Sequence, residues 1–319
     1  MRPRASRSAA LILLASGLLA GCGSGGDNGA TASGGAASGA TLQVVATTPV
    51  VADFVRNVGG DRVAVAQVVK PGVDPHDYEP SPADVQAVAD ADVVVESGVG
   101  LEAWLADTVS AAGFDGPVVD TSAKVTIRKG NGEDEQAEGD PHVWHDPRNA
   151  KVMVRAIADA LGAADADGRA TYDRNAAAYS AQLDALDTAN RTKIGSIPAA
   201  ERKLVTNHDA FGYYCARYGL TFVGSVIPSF DTSAELSGSD LADLVAKIRE
   251  TGVKAVFSES SLPPKTAQTV ARAAGVTVVG GEDALYGDGL GPAGSAGATY
   301  LTAERRNTDT IVRALGGTV

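Results

Sequence analysis

The sequence contains little cysteine, and this limits what can hold the fold together. Only two cysteines occur in 319 residues, Cys22 and Cys215. A scaffold stapled by several disulfides is therefore excluded, and so is a structural zinc site rich in thiolates. Cys215 is most simply read as a small, buried apolar residue.

Positive charge is also scarce. The formal net charge is −12 at pH 7, which argues against a nucleic-acid partner because phosphate backbones are bound by basic surfaces. An acidic surface suits a protein that meets cations, although it is also a plain source of solubility. Hydrophobic residues make up 44% and charged residues 21%, a globular composition, and the length is enough for two domains.

A long hydrophobic run is missing as well. The apolar stretch Leu11–Ala20 follows Arg2, Arg4 and Arg7 and is too short to span a bilayer. This pattern is typical of a signal peptide, which we predict to cover residues 1–21.

The end of that segment, Leu19-Ala20-Gly21-Cys22, resembles the bacterial lipobox. The resemblance implies cleavage before Cys22 and acylation of its sulfur, whereas the alternative is ordinary secretory cleavage beside an incidental cysteine. Residues 22–40, rich in Gly, Ser and Ala, then form a flexible tether. We expect a protein held by lipid on the outer side of the cytoplasmic membrane, with no intramolecular disulfide because Cys22 is acylated.

Short apolar runs alternate with segments of helical period after the tether. Such runs are typical of parallel strands buried on both faces and predict an α/β fold. The eight candidate strands are Leu42–Ala46, Val63–Val69, Asp92–Val95, Val118–Val119, Lys203–Thr206, Thr221–Val226, Ala255–Phe257 and Val276–Val279.

Between the fourth and fifth candidate strands, Arg169–Ile194 has one apolar stripe and no strand signal, which predicts a single long amphipathic helix. We therefore predict an N-terminal α/β domain at 41–167, a linking helix at 168–196 and a C-terminal α/β domain at 197–319. The acidic segment 129–140 shows no periodicity and is typical of a solvated mobile loop, with metal loading as the alternative.

Histidine is rare, and its placement is informative. His76, His142, His145 and His208 are the only four, and each lies at a junction between a predicted strand and a predicted helix. Ligands bind at strand ends in open α/β sheets. Imidazole suits zinc, nickel and copper, and a carboxylate completes a tetrahedral set, so these junctions predict a metal site.

Four segments resemble the zinc- and manganese-binding subgroup of ABC-transporter solute-binding proteins, the lipoprotein receptor antigen family. The shared motifs are His-x-Tyr-Glu-Pro at His76–Pro80, Asp-Pro-His-x-Trp at Asp140–Trp144, His-x-Ala-Phe at His208–Phe211 and Tyr-x-Asp-x-Leu-Gly at Tyr286–Gly291. The resemblance extends from about residue 42 to about residue 316, with the motifs in the same order.

The resemblance implies a metal receptor that delivers its ion to the permease of an ABC importer. It implies two four-stranded parallel domains bridged by the long helix, with the ion between them. The implied ligands are His76, His142, His208 and Asp288. Histidine at the third position implies zinc, because manganese-type members carry glutamate there; manganese remains the alternative cargo. Asp288 has an alternative reading as an exposed turn acid, since Glu282 and Asp283 are close by.

Two features depart from the family pattern. The loop at 129–140 lacks the histidines that many zinc-type members carry, and His145 occupies a position to which the pattern assigns no ligand. We interpret His145 as an exposed loop residue or an auxiliary ligand. Glu79 and Glu259 are candidates to accept a hydrogen bond from a ligand histidine, with surface salt bridging as the alternative.

A zinc hydrolase is the main rival from another functional class. The sequence has no His-Glu-x-x-His segment and no Gly-x-Ser-x-Gly segment, and a fourth protein ligand leaves no position for a reactive water. A surface adhesin is a second rival, supported only by exposure. We therefore predict a monomeric, non-enzymatic receptor with a metal ion and a permease as partners.

Overall fold

The first sheet is parallel throughout and lies in the N-terminal half of the chain. The computed structural model describes residues 41–129, 139–234 and 237–319. The sheet has the order β2-β1-β3-β4. Its strands are β1 Leu42–Ala46, β2 Val63–Gln67, β3 Val93–Glu96 and β4 Val118–Asp120, and its helices are α1 Pro49–Gly59, α2 Pro82–Ala89 and α3 Leu105–Ala112.

The C-terminal half repeats the alternation of strand and helix. Its strands are β5 Lys203–His208, β6 Thr221–Ile227, β7 Ala255–Phe257 and β8 Thr277–Val279, and its helices are α6 Gly212–Tyr218, α7 Gly238–Thr251 and α8 Lys265–Ala274. The predicted α/β class with parallel sheets is confirmed. One detail differs: where one four-stranded sheet was expected, β5–β6 and β7–β8 form two parallel hydrogen-bonded pairs, with β5 lying beside β7.

Three further helices are long, and two of them pack against the third. They are α4 Pro147–Ala164, α5 Arg169–Gly195 and α9 Tyr300–Ala314. The predicted long helix corresponds to α5, which packs against α1, α4 and α9. The apolar stripe of α5 is the face it buries, with Tyr172, Ala176, Tyr179, Leu183 and Leu186 all in the core.

Helix starts are encoded locally, and this fixes the loops that carry the functional residues. Asp146 caps α4 by accepting a hydrogen bond from the backbone N–H of Arg148, and a proline follows at the first helical position. Ser81 caps α2 with a reciprocal hydrogen-bond pair to Asp84. The loop ahead of the α2 cap contains His76, and the segment ahead of the α4 cap contains His142 and His145.

Several predicted features lie outside the described residues. These are the signal peptide, Cys22, the tether and the acidic part of the loop at 130–138. Within the described ranges, no helix is both long and apolar enough to cross a membrane. The described residues form one compact unit, and the domain limits given above stay predictions.

Candidate metal centre

Four side chains from four separate segments converge between the two halves. His76 lies in the loop between β2 and α2, His142 lies just before α4, His208 is the last residue of β5, and Asp288 lies between β8 and α9. One ligand atom from each lies within 4.8 Å of the others. The four side chains are buried, and His76 is the most exposed at 5%.

The spacing of the donor atoms matches a small coordination shell. The two Nε2 atoms of His142 and His208 are 3.2 Å apart. Oδ1 of Asp288 lies 3.1 Å from Nε2 of His142, 3.2 Å from Nε2 of His208 and 4.0 Å from Nε2 of His76. Donors arranged tetrahedrally about zinc with bonds of about 2.0 Å are about 3.3 Å apart, so only His76 has to move inward.

Two carboxylates fix which nitrogen of each histidine faces the centre. Nδ1 of His142 lies 2.9 Å from Oδ1 of Asp140, and Nδ1 of His208 lies 3.0 Å from Oε1 of Glu259. Each carboxylate also accepts the backbone N–H of the same histidine at 3.0 Å. Because Nδ1–H donates outward, each Nε2 presents a lone pair inward, as metal-bound histidines do.

A further layer of contacts holds Asp140 in place. Arg128 donates a hydrogen bond from its guanidinium to Oδ2 of Asp140. The hydroxyl of Tyr213 donates to the backbone carbonyl of Asp140 at 3.1 Å and accepts the backbone N–H of Arg128 at 2.9 Å. Gly212 leaves room for the guanidinium of Arg128, since a Cβ there would lie 1.5 Å from Nη1 and would displace it from Asp140.

The loop of His76 is tied to both halves. The backbone N–H of His76 donates to Oδ1 of Asp74 at 3.0 Å, and Thr232 of the C-terminal half donates to Oδ2 of Asp74 at 2.6 Å. The indole of Trp104 donates to the carbonyl of Pro75 at 3.0 Å. These contacts hold the His76 loop against the cluster without a hydrogen bond to its ring.

A glycine lets the fourth residue reach the centre. A Cβ on Gly287 would lie 2.1 Å from Oε2 of Glu259, so a larger residue there would push the Glu259 carboxylate from its place beside His208. The carbonyl of Gly287 accepts a hydrogen bond from the indole of Trp144 at 3.2 Å. Oδ2 of Asp288 and Nε2 of His76 are buried without a hydrogen-bond partner in the described part of the chain, whereas Oδ1 of Asp288 lies against Nε2 of His142 and of His208.

The pKa values of the clustered side chains show that the centre favours positive charge. Burial lowers the pKa of His142, but Asp140 and Asp288 outweigh it and raise that pKa to about 9. The pKa of His208 is raised in the same way, since Asp288 and Glu259 outweigh burial. Burial would raise the pKa of Asp288, yet His208 and His142 hold it well below its usual value. Protons thus neutralise the metal-free centre, and they occupy positions where a metal would bind.

The pKa of His76 shifts in the opposite direction from those of His142 and His208. Burial lowers its pKa to about 4, even though Asp288 acts in the opposite direction. Near neutral pH its ring is therefore uncharged and ready to act as a ligand. The donor set of three imidazoles and one carboxylate fits a borderline divalent cation.

Both readings of His145 need correction. An exposed position is wrong, because His145 is fully buried, with Nδ1 2.7 Å from Oε1 of Glu304 and its ring stacked on Phe211 at 4.5 Å between centroids. An auxiliary ligand is not supported either, since His145 is outside the four-residue cluster found among the described residues. Its carboxylate partner on α9 gives it a packing role.

The remaining acidic candidates differ in burial and in their contacts with the cluster. Asp288 is buried at 1% exposure, so its reading as an exposed turn acid is wrong, whereas Glu282 and Asp283 are exposed. Glu259 contacts His208, and Glu79 is exposed. Sequence reasoning did not assign Asp140, Arg128 or Tyr213; the spacing Asp-x-His at 140–142 is the one signal that marks Asp140.

Two parallel-sheet halves joined by a long helix, with a buried cation-binding cluster assembled from both, define a metal-binding solute receptor. The family model described as zinc-uptake complex component A, periplasmic (ZnuA), matches residues 44–314. The chain belongs to this family. It is an extracytoplasmic metal-binding substrate receptor of an ABC transporter, which confirms the predicted class and the prediction that it is not an enzyme.

Individual relatives are similar over most of their length. The zinc-binding protein TroA of Treponema pallidum is 35% identical over 276 residues, covering 85% of this chain and 88% of that protein. The manganese ABC transporter substrate-binding lipoprotein PsaA of Streptococcus mitis is 31% identical over 286 residues, covering 88% and 91%. The solved structure of periplasmic TroA from Treponema pallidum superposes with a TM-score of 0.80 at 34% identity, covering 86% of this chain and 99% of that one.

Proposed function

We propose that this receptor captures zinc through His76, His142, His208 and Asp288 and delivers it to its permease. The convergence of three imidazole nitrogens and one carboxylate on a single buried point carries the proposal. Asp140 and Glu259 support it, because they direct both Nε2 lone pairs inward.

The donor chemistry favours zinc over manganese. Three neutral imidazoles and one carboxylate suit four-coordinate zinc, whereas manganese prefers more oxygen ligands. Manganese also stands at the bottom of the Irving–Williams order, so a nitrogen-rich site discriminates against it without special geometry.

Manganese is the second candidate, for two reasons. Relatives of similar identity are named as manganese-binding, among them PsaA and the lipoprotein MntA of Halalkalibacterium halodurans. Oδ2 of Asp288 accepts no hydrogen bond within the described residues, so it can join Oδ1 as a bidentate carboxylate that brings the donors to five.

Competition between zinc and manganese tests which metal the receptor carries. We expect zinc to outcompete manganese by at least about a hundredfold, or about 2.7 kcal/mol, in equilibrium dialysis of the wild-type protein. His208→Glu should narrow the gap by weakening zinc binding, since it exchanges a nitrogen donor for oxygen.

His208→Gln is the matched control for that experiment. It has the size of glutamate and an oxygen donor but no charge, so it should also weaken zinc binding, and the difference between the two variants isolates the effect of the carboxylate charge. Manganese that displaces zinc at equal concentration from the wild-type protein would overturn the zinc assignment and leave the receptor function intact.

We further propose that Cys22 carries the lipid that holds the receptor at the membrane. The lipobox at 19–22 supports this, and so do the relatives named as lipoproteins. Cys22→Ala should move the protein from the membrane fraction to the soluble fraction or block its processing, measured by fractionation and intact mass. Ser24→Ala, two residues along in the tether, should change neither. A Cys22→Ala protein that stays processed and membrane-bound would contradict lipid anchoring.

A further inference from the structure

A cavity lies near the proposed zinc site, and six of the ten described residues that line it carry side-chain oxygen atoms. Its volume is about 240 Å³, and its polar lining comprises Asp74, Asp77, Asn207, Thr232, Ser233 and Thr266. None of the described residues that line it is a lysine, arginine or histidine. By the same measure a single water needs only about 10–15 Å³, so the cavity has room for an ion with its water shell.

Besides its two carboxylates, the cavity is lined by Asn207, which has a buried amide oxygen without a hydrogen bond among the described residues. Its side chain is 3% exposed, and its Oδ1 accepts no hydrogen bond within the described part of the chain. A buried amide oxygen without a donor costs free energy unless water or a cation satisfies it. Carbonyl and carboxylate oxygens are the donors that hold hydrated, hard divalent cations.

The cavity is open to solvent and extends to residues that adjoin the metal centre. Asp77, Ser233 and Thr266 are exposed and form its outer side. Asn207 immediately precedes His208, and Asp74 accepts the backbone N–H of His76, so its inner side adjoins two of the proposed ligands. Asp74 also accepts the hydroxyl of Thr232, which places oxygen atoms from both halves around one space.

We propose that this cavity is an entry site that holds a divalent cation in its hydration shell before the ion passes to His76. The inference rests on the proposed function and adds a second, oxygen-lined binding position to it. Asp77 and Asp74 attract the hydrated ion, and the oxygens of Asn207, Thr232 and Ser233 replace part of its outer hydration. The ion then exchanges water for imidazole nitrogen, beginning at the most exposed ligand.

An entry position changes the rates of binding and release rather than the affinity of the final site. Removing a charge from the outer side raises the barrier for both directions of passage. The association rate constant and the dissociation rate constant should therefore fall together, with the dissociation constant of the final site almost unchanged. Attraction of this type is strongest at low ionic strength.

Stopped-flow mixing of the full-length protein with Zn²⁺ tests the inference. Tryptophan fluorescence reports binding, since the ring of Trp144 lies 5.4 Å from that of His142. Asp77→Asn should lower the association rate constant about three- to tenfold at low salt, within the range of electrostatic steering. Ser233→Asp should raise it, and the differences should shrink at high salt. The matched control is Asp61→Asn, which removes the same charge from an exposed residue outside the cavity.

The outcomes separate this inference from the proposed function. Equal association rate constants in Asp77→Asn and Asp61→Asn would overturn the entry site. So would a weaker dissociation constant with an unchanged association rate, because it would place the effect on the final ligands. Absence of zinc binding in the wild-type protein would instead overturn the proposed function.

Discussion

At the scale of single residues, the centre depends on carboxylates that each act twice on one histidine. Glu259 accepts both the backbone N–H and the ring Nδ1–H of His208, and Asp140 does the same for His142. One carboxylate thus sets the position of the backbone and the orientation of the ring together. This double contact removes rotational freedom from the ligand before the metal arrives.

Glu259→Gln should weaken zinc binding about 10- to 100-fold, the usual effect of removing a carboxylate partner from a ligand histidine. Glutamine keeps the size of the side chain but removes the charge that polarises the imidazole of His208. Competition against a chelator of known affinity at constant pH measures the change. Glu79→Gln, at an exposed acid in the His76 motif, is the control and should bind zinc as the wild type does. Equal affinities for the two variants would mean that the contact with His208 has only a packing role.

Residue-scale features were predictable to very different degrees. The four members of the cluster lie in short motifs of the family and were identified from the sequence. The environment of His145 was not, because its partner Glu304 lies 159 residues away on α9. Nothing in the local segment at 140–147 shows that this histidine is buried, since only tertiary packing brings Glu304 and Phe211 to it.

At the scale of secondary-structure elements, the packing of the long helix α5 contributes most directly to the stability of the fold. It is 27 residues long and buries Leu183 in the core shared with α1 and α4. Leu183→Ala should lower the free energy of unfolding by about 2–5 kcal/mol, because the substitution leaves a cavity in a packed interface. Denaturant unfolding monitored by circular dichroism measures the loss. The neighbouring exposed Gln182→Ala should change stability by less than about 0.5 kcal/mol. A similar small effect of Leu183→Ala would show that α5 tolerates local collapse.

Strands were predicted more completely than the sheets they form. All eight candidate runs became strands, because continuous β-branched stretches are a local signal. The hydrogen bonding of the second sheet was not predicted. Four strands in one sheet were expected, but β5–β6 and β7–β8 form separate pairs, with a register shift between Leu204 and Val205 in the first pair. Register and strand pairing depend on contacts between distant segments.

At the scale of the whole molecule, the charge of the centre links metal binding to stability and pH. The pKa of His142 is raised to about 9 in the metal-free fold, mainly by Asp140 and Asp288 acting against burial. A pKa raised on folding stabilises the fold below its ordinary value near 6.5, and that contribution is lost as pH rises through about 9. The metal-free protein should therefore lose stability between pH 7 and pH 9.

Zinc reverses this dependence, because it displaces the protons that the free centre holds. At constant free zinc, the rise in melting temperature should grow from pH 6 to pH 9, corresponding to about 2.7 kcal/mol wherever zinc reaches 100 times its dissociation constant. Differential scanning calorimetry with a metal buffer measures the rise. His76→Ala or His142→Ala should abolish most of it at every pH. A rise that survives both substitutions would place the metal elsewhere in the molecule.

The four donors stand on four separate stretches of chain, and no two share a segment. In the language of coordination chemistry they are independent monodentate ligands rather than a chelating pair, so the ion can be surrendered one bond at a time. His76 has the most exposed ring and belongs to a loop held mainly by Asp74, so we expect its bond to the ion to open first. A donor offered by the transporter can then take the vacated position. We expect the cargo to pass to the transporter by such ligand exchange.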